Sequence, residues 1–169
     1  IGKKTIFTLL GPHTNPCNAK RQILGVYDKG LLKTFGNVSN LLKMHHVLVV
    51  HGNDGLDEIS ITDKTFVTEL KDGNLNQFEI QPEDFGLSRA NITALKAETP
   101  EESLELINAA FEGKESPVQD MISLNAGASL YLSSASNSIK EGVSLAKELL
   151  NNGKAKQTFS SYIEMTNSL

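Results

Sequence analysis

Two spacings of apolar residues organise the chain of 169 residues, uninterrupted runs and helical recurrence. Uninterrupted runs mark strands buried on both faces. The clearest is Val47 to Val50 in "HVLVVHG", and a shorter one around Ile23 to Tyr27 in "RQILGVYD" reads as a second buried strand. Between them Leu31, Leu32, Phe35, Val38, Leu41 and Leu42 recur at helical spacing, with Gly36 weakening the helix slightly. Strand, helix, strand predicts a right-handed βαβ unit in a parallel sheet. An earlier apolar segment, Ile6 to Leu10, ends at Gly11-Pro12 and Asn15-Pro16. Each proline pushes its predecessor away from helical geometry, so a rigid irregular loop is expected there.

Further on, Phe66, Val67 and Leu70 stand before Asp72-Gly73, and Leu75, Phe78 and Ile80 after it. Asp-Gly between two such runs predicts a β-hairpin. The stretch "QPEDFGLSRANITAL" reads as a polar connector that becomes a short helix. From Thr99 the chain turns helical. Thr99 suits the N-cap, Pro100 the first helical position, and Glu101 and Glu102 the positive helix end. Leu104, Ile107, Ala110 and Phe111 form its apolar face, and Gly113 stops it. A helix rich in small residues, "MISLNAGASLYLSSA", follows, then "SIKEGVSLAKELLNNG" up to Gly153, and a last short helix around Ala155 and Phe159.

Composition narrows the class. The chain can bury a sizeable core in one domain or a large part of one. No apolar run approaches the ~20 residues that span a bilayer, and no signal peptide is visible, so a cytoplasmic protein is expected. The first residue is Ile1 rather than Met, which suggests part of a longer gene product. The single cysteine, Cys17, cannot form an internal disulfide, and no histidine adjoins it in sequence. Net charge is −4, unevenly spread: residues 1–50 hold seven Lys/Arg and one Asp, residues 51–169 nine Lys/Arg and nineteen Asp/Glu. The basic first third could attract phosphates or face an acidic partner segment. Its cations lack aromatic interleaving, which argues against nucleic acid.

The candidate chemistry gathers in "VVHGNDGLDEIS", Val49 to Ser60. Asp57 and Glu58 stand side by side past a flexible Asn53-Asp54-Gly55 turn. On a regular strand neighbouring side chains point to opposite faces, so both reach one ion only if the backbone bends or water intervenes. Two carboxylates cannot make a Ca²⁺ cage, but they suffice for Mg²⁺ that keeps several waters and borrows phosphate oxygens. Ligands of open parallel sheets also gather outside the carboxyl ends of strands. From the residues alone, the pair is either a solvated acidic turn or half of such a metal site. His51, at the strand end, is either a ligand contact or a satisfied histidine. His45 and His46, at the far end of that strand, suit a helix C-terminus. The role of His13 is open. No zinc spacing, phosphate loop or Gly-x-Ser-x-Gly is present.

Taken together, the loops resemble the anthranilate phosphoribosyltransferase family. "KKTIFTLLGPHTNP" is similar to its "RTIFNLLGPLxNP" signature and "VVHGNDGLDEIS" to its "VVHGxDGLDE" element. "PEDFGL", "TPEESLELINAAFEGK" and "LNAGASLYLSSASNSIKEGVSLAKELLNNGKA" follow in family order. The resemblance implies an α/β fold. The chain would be the C-terminal part of the large α/β domain of a nucleoside phosphorylase/phosphoribosyltransferase-type fold, with a mostly parallel sheet flanked by helices. Neither the helical domain nor the glycine-rich "GTGGD" loop of the family has a match in residues 1–169.

The resemblance further implies transfer of a phosphoribosyl group from phosphoribosyl pyrophosphate to anthranilate in tryptophan biosynthesis, by a homodimer in full-length form. Asp57 and Glu58 would bind Mg²⁺ carried by the diphosphate, and Gly11 and Pro12 would line the path of the aromatic substrate. No strong base is needed, because the amine is already a nucleophile. Alone, the 169 residues are expected to be inactive. Lys4, Thr8 and His13 depart from the family's usual Arg, Asn and Leu, which puts substrate entry in question. The alternative is a non-catalytic, nucleic-acid-binding relative of the same fold. A nucleoside phosphorylase is a third reading that "HGNDGLDE" fits poorly.

Overall fold

The apolar run at Val47–Val50 is the middle of the molecule. In the computed structural model, which describes residues 10–168, it lies in β2 (His46–Gly52), and all four of its side chains are fully buried. Alternation along the strand sends them to two cores. Leu48 and Val50 pack with Ile59, Ile61, Val67, Leu124, Ala128 and Val143 on one face. Val47 and Val49 pack with Leu24, Leu32, Phe35, Phe66 and Leu70 on the other. Truncating any of the larger ones to Ala should cost about 2–5 kcal/mol.

β1 (Arg21–Gly25) pairs in parallel with β2, and α1 (Leu31–Leu41) makes the crossover, as the pattern predicted. β3 (Thr65–Lys71) and β4 (Asn74–Ile80) complete the order β1-β2-β3-β4. Asp72 and Gly73 both take positive φ, +49° and +81°, the geometry a two-residue hairpin demands. β3 runs antiparallel to β2, and β4 to β3. The sheet is therefore mixed among the described residues, which corrects the expectation of a mostly parallel one. The physical reason is the connection: parallel strands need a long crossover, usually helical, and residues 53–64 form none.

Two helices cover the Leu48/Val50 face, α3 (Pro117–Leu132) and α4 (Ile139–Asn151), and α2 (Pro100–Phe111) and α5 (Lys154–Asn167) pack against the helices rather than the sheet. Thr99 caps α2 by accepting from the Glu102 N–H at 3.2 Å. The small residues of α3 let its backbone touch that of α4. A Cβ on Gly127 would sit 2.4 Å from the Val143 nitrogen, and one on Gly142 would sit 2.2 Å from the Gly127 carbonyl oxygen. The polar connector holds two 3₁₀ turns, Pro82–Phe85 and Ile92–Leu95. The last helix is fourteen residues long rather than short. Among the described residues no helix is long and apolar enough to cross a membrane.

Candidate functional site

The loop 53–64 leaves the carboxyl end of β2 and returns to β3. Gly52 N–H donates to the Leu56 carbonyl at 2.7 Å, and Gly55 N–H donates to the Gly52 carbonyl at 2.9 Å. The Asp54 carboxylate sits inside this turn. It accepts from the Leu56 N–H at 3.2 Å and from the Ser60 and Thr62 hydroxyls. Burial alone would raise the Asp54 carboxyl, but these hydrogen bonds outweigh it and hold it below the usual range. Asp63 accepts from Asn53 Nδ2 at 2.6 Å and from Arg89 at 3.1 Å. The Asn53 bond is the main cause holding its carboxyl low.

Asp57 and Glu58 stand apart from these. Both lie on a bend, both are exposed, and neither carboxylate has a hydrogen bond or ion pair among the described residues. The loop thus commits Asp54 and Asp63 to its own architecture and leaves this pair free. Ile59 and Ile61 anchor the downstream side in the core, 1% and 0% exposed. On one flank, Gly25 at the end of β1 lies directly against the Asp57 peptide. On the other, Asn125 of α3 accepts from the Ile59 N–H at 3.0 Å and donates to the Ile59 carbonyl at 2.9 Å. The pair therefore sits outside the carboxyl ends of the parallel strands β1 and β2. It lines a cleft of about 460 Å³ together with apolar side chains, Leu106, Ile107 and Met121 among them, and with Lys96.

This donor set fits a hard cation. It offers exposed, unpartnered carboxylate oxygens on a bent backbone. Among the described residues no group of three or more His, Cys, Asp or Glu could hold a metal. Asp57 and Glu58 would therefore supply part of a coordination shell, with water and phosphate oxygens supplying the rest, as Mg²⁺ prefers.

Gly11 and Pro12 lie in a 3₁₀ turn, Gly11–His13, bordering a separate cleft of about 490 Å³. Gln22, Ile23 and Leu24 of β1 form its other side, so β1 borders both regions while the two pairs face different clefts. His13 holds this turn to α1: its ring meets Ser39 Oγ at 3.2 Å and lies 4.9 Å from the Phe35 ring. Lys4 and Thr8 lie outside the described residues.

His51 Nδ1 sits 2.8 Å from the Val26 carbonyl, which can only accept, so Nδ1 carries a proton there. That is the satisfied strand-end histidine of the two readings. His46 does not serve a helix end. It is 3% exposed within β2 and meets Glu69 Oε1 at 2.7 Å. Cys17 is exposed and free.

Residues 1–156 match the glycosyl transferase family, a/b domain. The chain belongs to that family. Its relatives include the anthranilate phosphoribosyltransferase of Hydrogenovibrio crunogenus, 42% identical over 168 residues, covering 99% of this chain and 49% of the relative. In three dimensions the chain is similar to the anthranilate phosphoribosyltransferase of Thermus thermophilus, with a TM-score of 0.88 and 36% identity over 96% of this chain and 48% of that one. It is also similar to the Saccharomyces cerevisiae enzyme in complex with PRPP and Mg, with a TM-score of 0.87 and 29% identity over 99% and 49%. The chain spans about half the length of the relatives it matches.

Sequence reasoning singled out Asp57 and Glu58 as candidates but not the residues that hold their backbone. Asp54 reads as turn punctuation, although its Ser60 and Thr62 partners lie close by in sequence. The Ile59-Ser60-Ile61 alternation was a usable sign of anchoring. Gly25 and Asn125 gave none, because their contacts are long-range.

Proposed function

We propose that the full-length protein transfers the phosphoribosyl group of phosphoribosyl pyrophosphate to anthranilate, and that residues 1–169 form the C-terminal part of its α/β domain. The carrying observation is the freedom of Asp57 and Glu58 in a loop that ties Asp54 and Asp63 to internal donors. Relatives solved with PRPP and Mg, and with 4-fluoroanthranilate, support the substrate class. A cytoplasmic homodimer belongs to the same reading.

In the reaction the amine nitrogen of anthranilate bonds to C1 of the ribose. The bond from C1 to the pyrophosphate oxygen breaks, its electron pair leaves with pyrophosphate, and the new ammonium loses a proton. A bound Mg²⁺ supplies Lewis-acid neutralisation of the departing diphosphate. Asp57 and Glu58 would hold it and orient the leaving group. The loop around Asp54 keeps their backbone fixed, so little reorganisation is required as charge develops. Gly11 and Pro12 would line the aromatic substrate's approach. Catalysis on this reading is positioning and electrostatics. The nucleic-acid alternative gains no observation: Arg21 is turned onto the Leu132 carbonyl and Ser134, and Lys29 lies over the Phe66 ring.

The test follows anthranilate fluorescence on adding phosphoribosyl pyrophosphate and Mg²⁺. The full-length protein should consume anthranilate. Asp57→Asn with Glu58→Gln should lower the rate and shift its Mg²⁺ dependence. Unchanged kinetics in that double variant would remove the metal assignment, and a folded full-length protein that consumes no anthranilate would remove the activity.

A further inference from the structure

We propose that Asn125 is a positioning residue for the Asp57–Glu58 pair, holding the bend that lets both carboxylates serve one cation. The inference rests on the metal reading above and deepens it. Two adjacent carboxylates on an extended backbone diverge. Bringing both to one ion depends on the backbone path through residues 57–59, which lies outside any strand. Among the described residues no neighbouring strand offers ladder hydrogen bonds there. Asn125 supplies them instead. Its Oδ1 accepts from Ile59 N–H at 3.0 Å, and its Nδ2 donates to the Ile59 carbonyl at 2.9 Å. One side-chain amide thus presents the donor–acceptor pair that a strand would present.

The amide is itself held. Nδ2 also donates to the Met121 carbonyl one turn earlier in α3, at 3.1 Å. That bond fixes which end of the amide faces which Ile59 group. The α3 backbone behind it is locked against α4 at Gly127, two residues further on. Ile59 is 1% exposed, so its N–H and C=O have little access to water as a substitute partner. With Gly25 against the Asp57 peptide, the segment carrying the carboxylates is held at two points. Among the described residues the Asn125 side chain hydrogen-bonds Ile59 and Met121 and neither carboxylate, so it acts on the pair through Ile59.

The test is Mn²⁺ affinity, read by electron paramagnetic resonance, in the full-length protein with phosphoribosyl pyrophosphate. Four proteins are compared: wild type, Asn125→Ala, Asp57→Asn/Glu58→Gln, and the three changes combined. Outer partners of metal ligands typically contribute about 10–100-fold in affinity. Asn125→Ala should therefore weaken Mn²⁺ binding about 10–100-fold and speed amide exchange at Ile59. The combined variant should bind Mn²⁺ no more weakly than Asp57→Asn/Glu58→Gln. If Asn125→Ala fails to fold, Asn125→Asp, which keeps the acceptor and loses the donor, is read in its place with the same direction expected. Unchanged Mn²⁺ affinity in a destabilised Asn125 variant would reduce Asn125 to a structural clamp and overturn the proposal. Unchanged affinity in Asp57→Asn/Glu58→Gln would instead overturn the metal reading on which it stands.

Discussion

A Cβ on Gly25 would lie 1.8 Å from the carbonyl oxygen of Asp57. No real Cβ tolerates that distance, so the end of β1 and the acidic bend fit only because residue 25 has no side chain. Gly25→Ala must push the Asp57 peptide away or shift β1. Overpacking of this kind costs about 1–3 kcal/mol, to be measured by urea denaturation. The Mg²⁺ dependence of anthranilate consumption should move as well, because the displaced peptide carries a proposed ligand.

Asp54 and the pair Asp57/Glu58 should separate cleanly by assay. Asp57→Asn/Glu58→Gln removes carboxylates with no hydrogen bond or ion pair among the described residues, so stability should stay within about 0.5 kcal/mol while the rate falls and its Mg²⁺ dependence shifts. Asp54→Asn weakens the bonds to Ser60, Thr62 and Leu56. It should cost about 1 kcal/mol, allowing for solvent near an exposed residue. Thermal melts and Mg²⁺ titrations of both variants check the division.

Acid should act through the same loop. Hydrogen bonds hold the Asp54 and Asp63 carboxyls below their usual value against the pull of burial, and a backbone N–H and Arg89 do the same for Glu83. A lowered folded-state pKa means the folded chain binds protons less readily than the unfolded one. The stabilisation is complete above about pH 4, near the ordinary Asp value, and is lost as pH falls through the lower folded values. Urea midpoints followed down in pH should decline there, and Asp54→Asn should flatten that decline.

Local chemistry was legible in the sequence, and contact at a distance was not. Val47–Val50 announced a buried central strand because an uninterrupted apolar run rich in β-branched residues has few other uses. Asp72-Gly73 announced its hairpin because both residues must take positive φ. Asp57 and Glu58 could be singled out as candidates because adjacent carboxylates past a flexible turn suit a hard cation. The antiparallel return of β3 was hidden because the loop 53–64 carries no mark of direction. His46 was read from its place after a helix, whereas its partner, Glu69, lies 23 residues away. Asn125 meets Ile59 across 66 residues, and nothing near either one points to the other. The length of α5 was missed because none of its residues is fully buried, so it shows no strong apolar stripe.

The contact between α3 and α4 gives a prediction remote from the site. A Cβ at Gly127 would meet the Val143 nitrogen at 2.4 Å, which is backbone and cannot swing aside. Gly127→Ala should therefore destabilise by about 1–3 kcal/mol despite its favourable helix propensity. A surface Gly→Ala change in a helix would do the reverse. Urea denaturation gives the sign directly.

At the other end of β2, His46, Glu69, Tyr131 and Lys71 form one polar cluster. Tyr131 donates to Glu69 Oε1 at 2.9 Å and accepts from Lys71 Nζ at 3.1 Å. Its ring also packs edge-on against His46 at 4.8 Å. Burial pushes the Tyr131 phenol up, which keeps it a neutral donor to Glu69. Tyr131→Phe keeps the ring and deletes the hydroxyl, at a cost of about 1 kcal/mol. Glu69→Ala leaves His46, 3% exposed, without its hydrogen-bond partner, and leaving a buried polar group unsatisfied costs about 1–3 kcal/mol. Because both changes remove the same hydrogen bond, Tyr131→Phe should cost less in the Glu69→Ala background. A double-mutant cycle should return a coupling of about 0.5–3 kcal/mol, and strict additivity would show that the hydroxyl and the carboxylate stabilise the sheet independently.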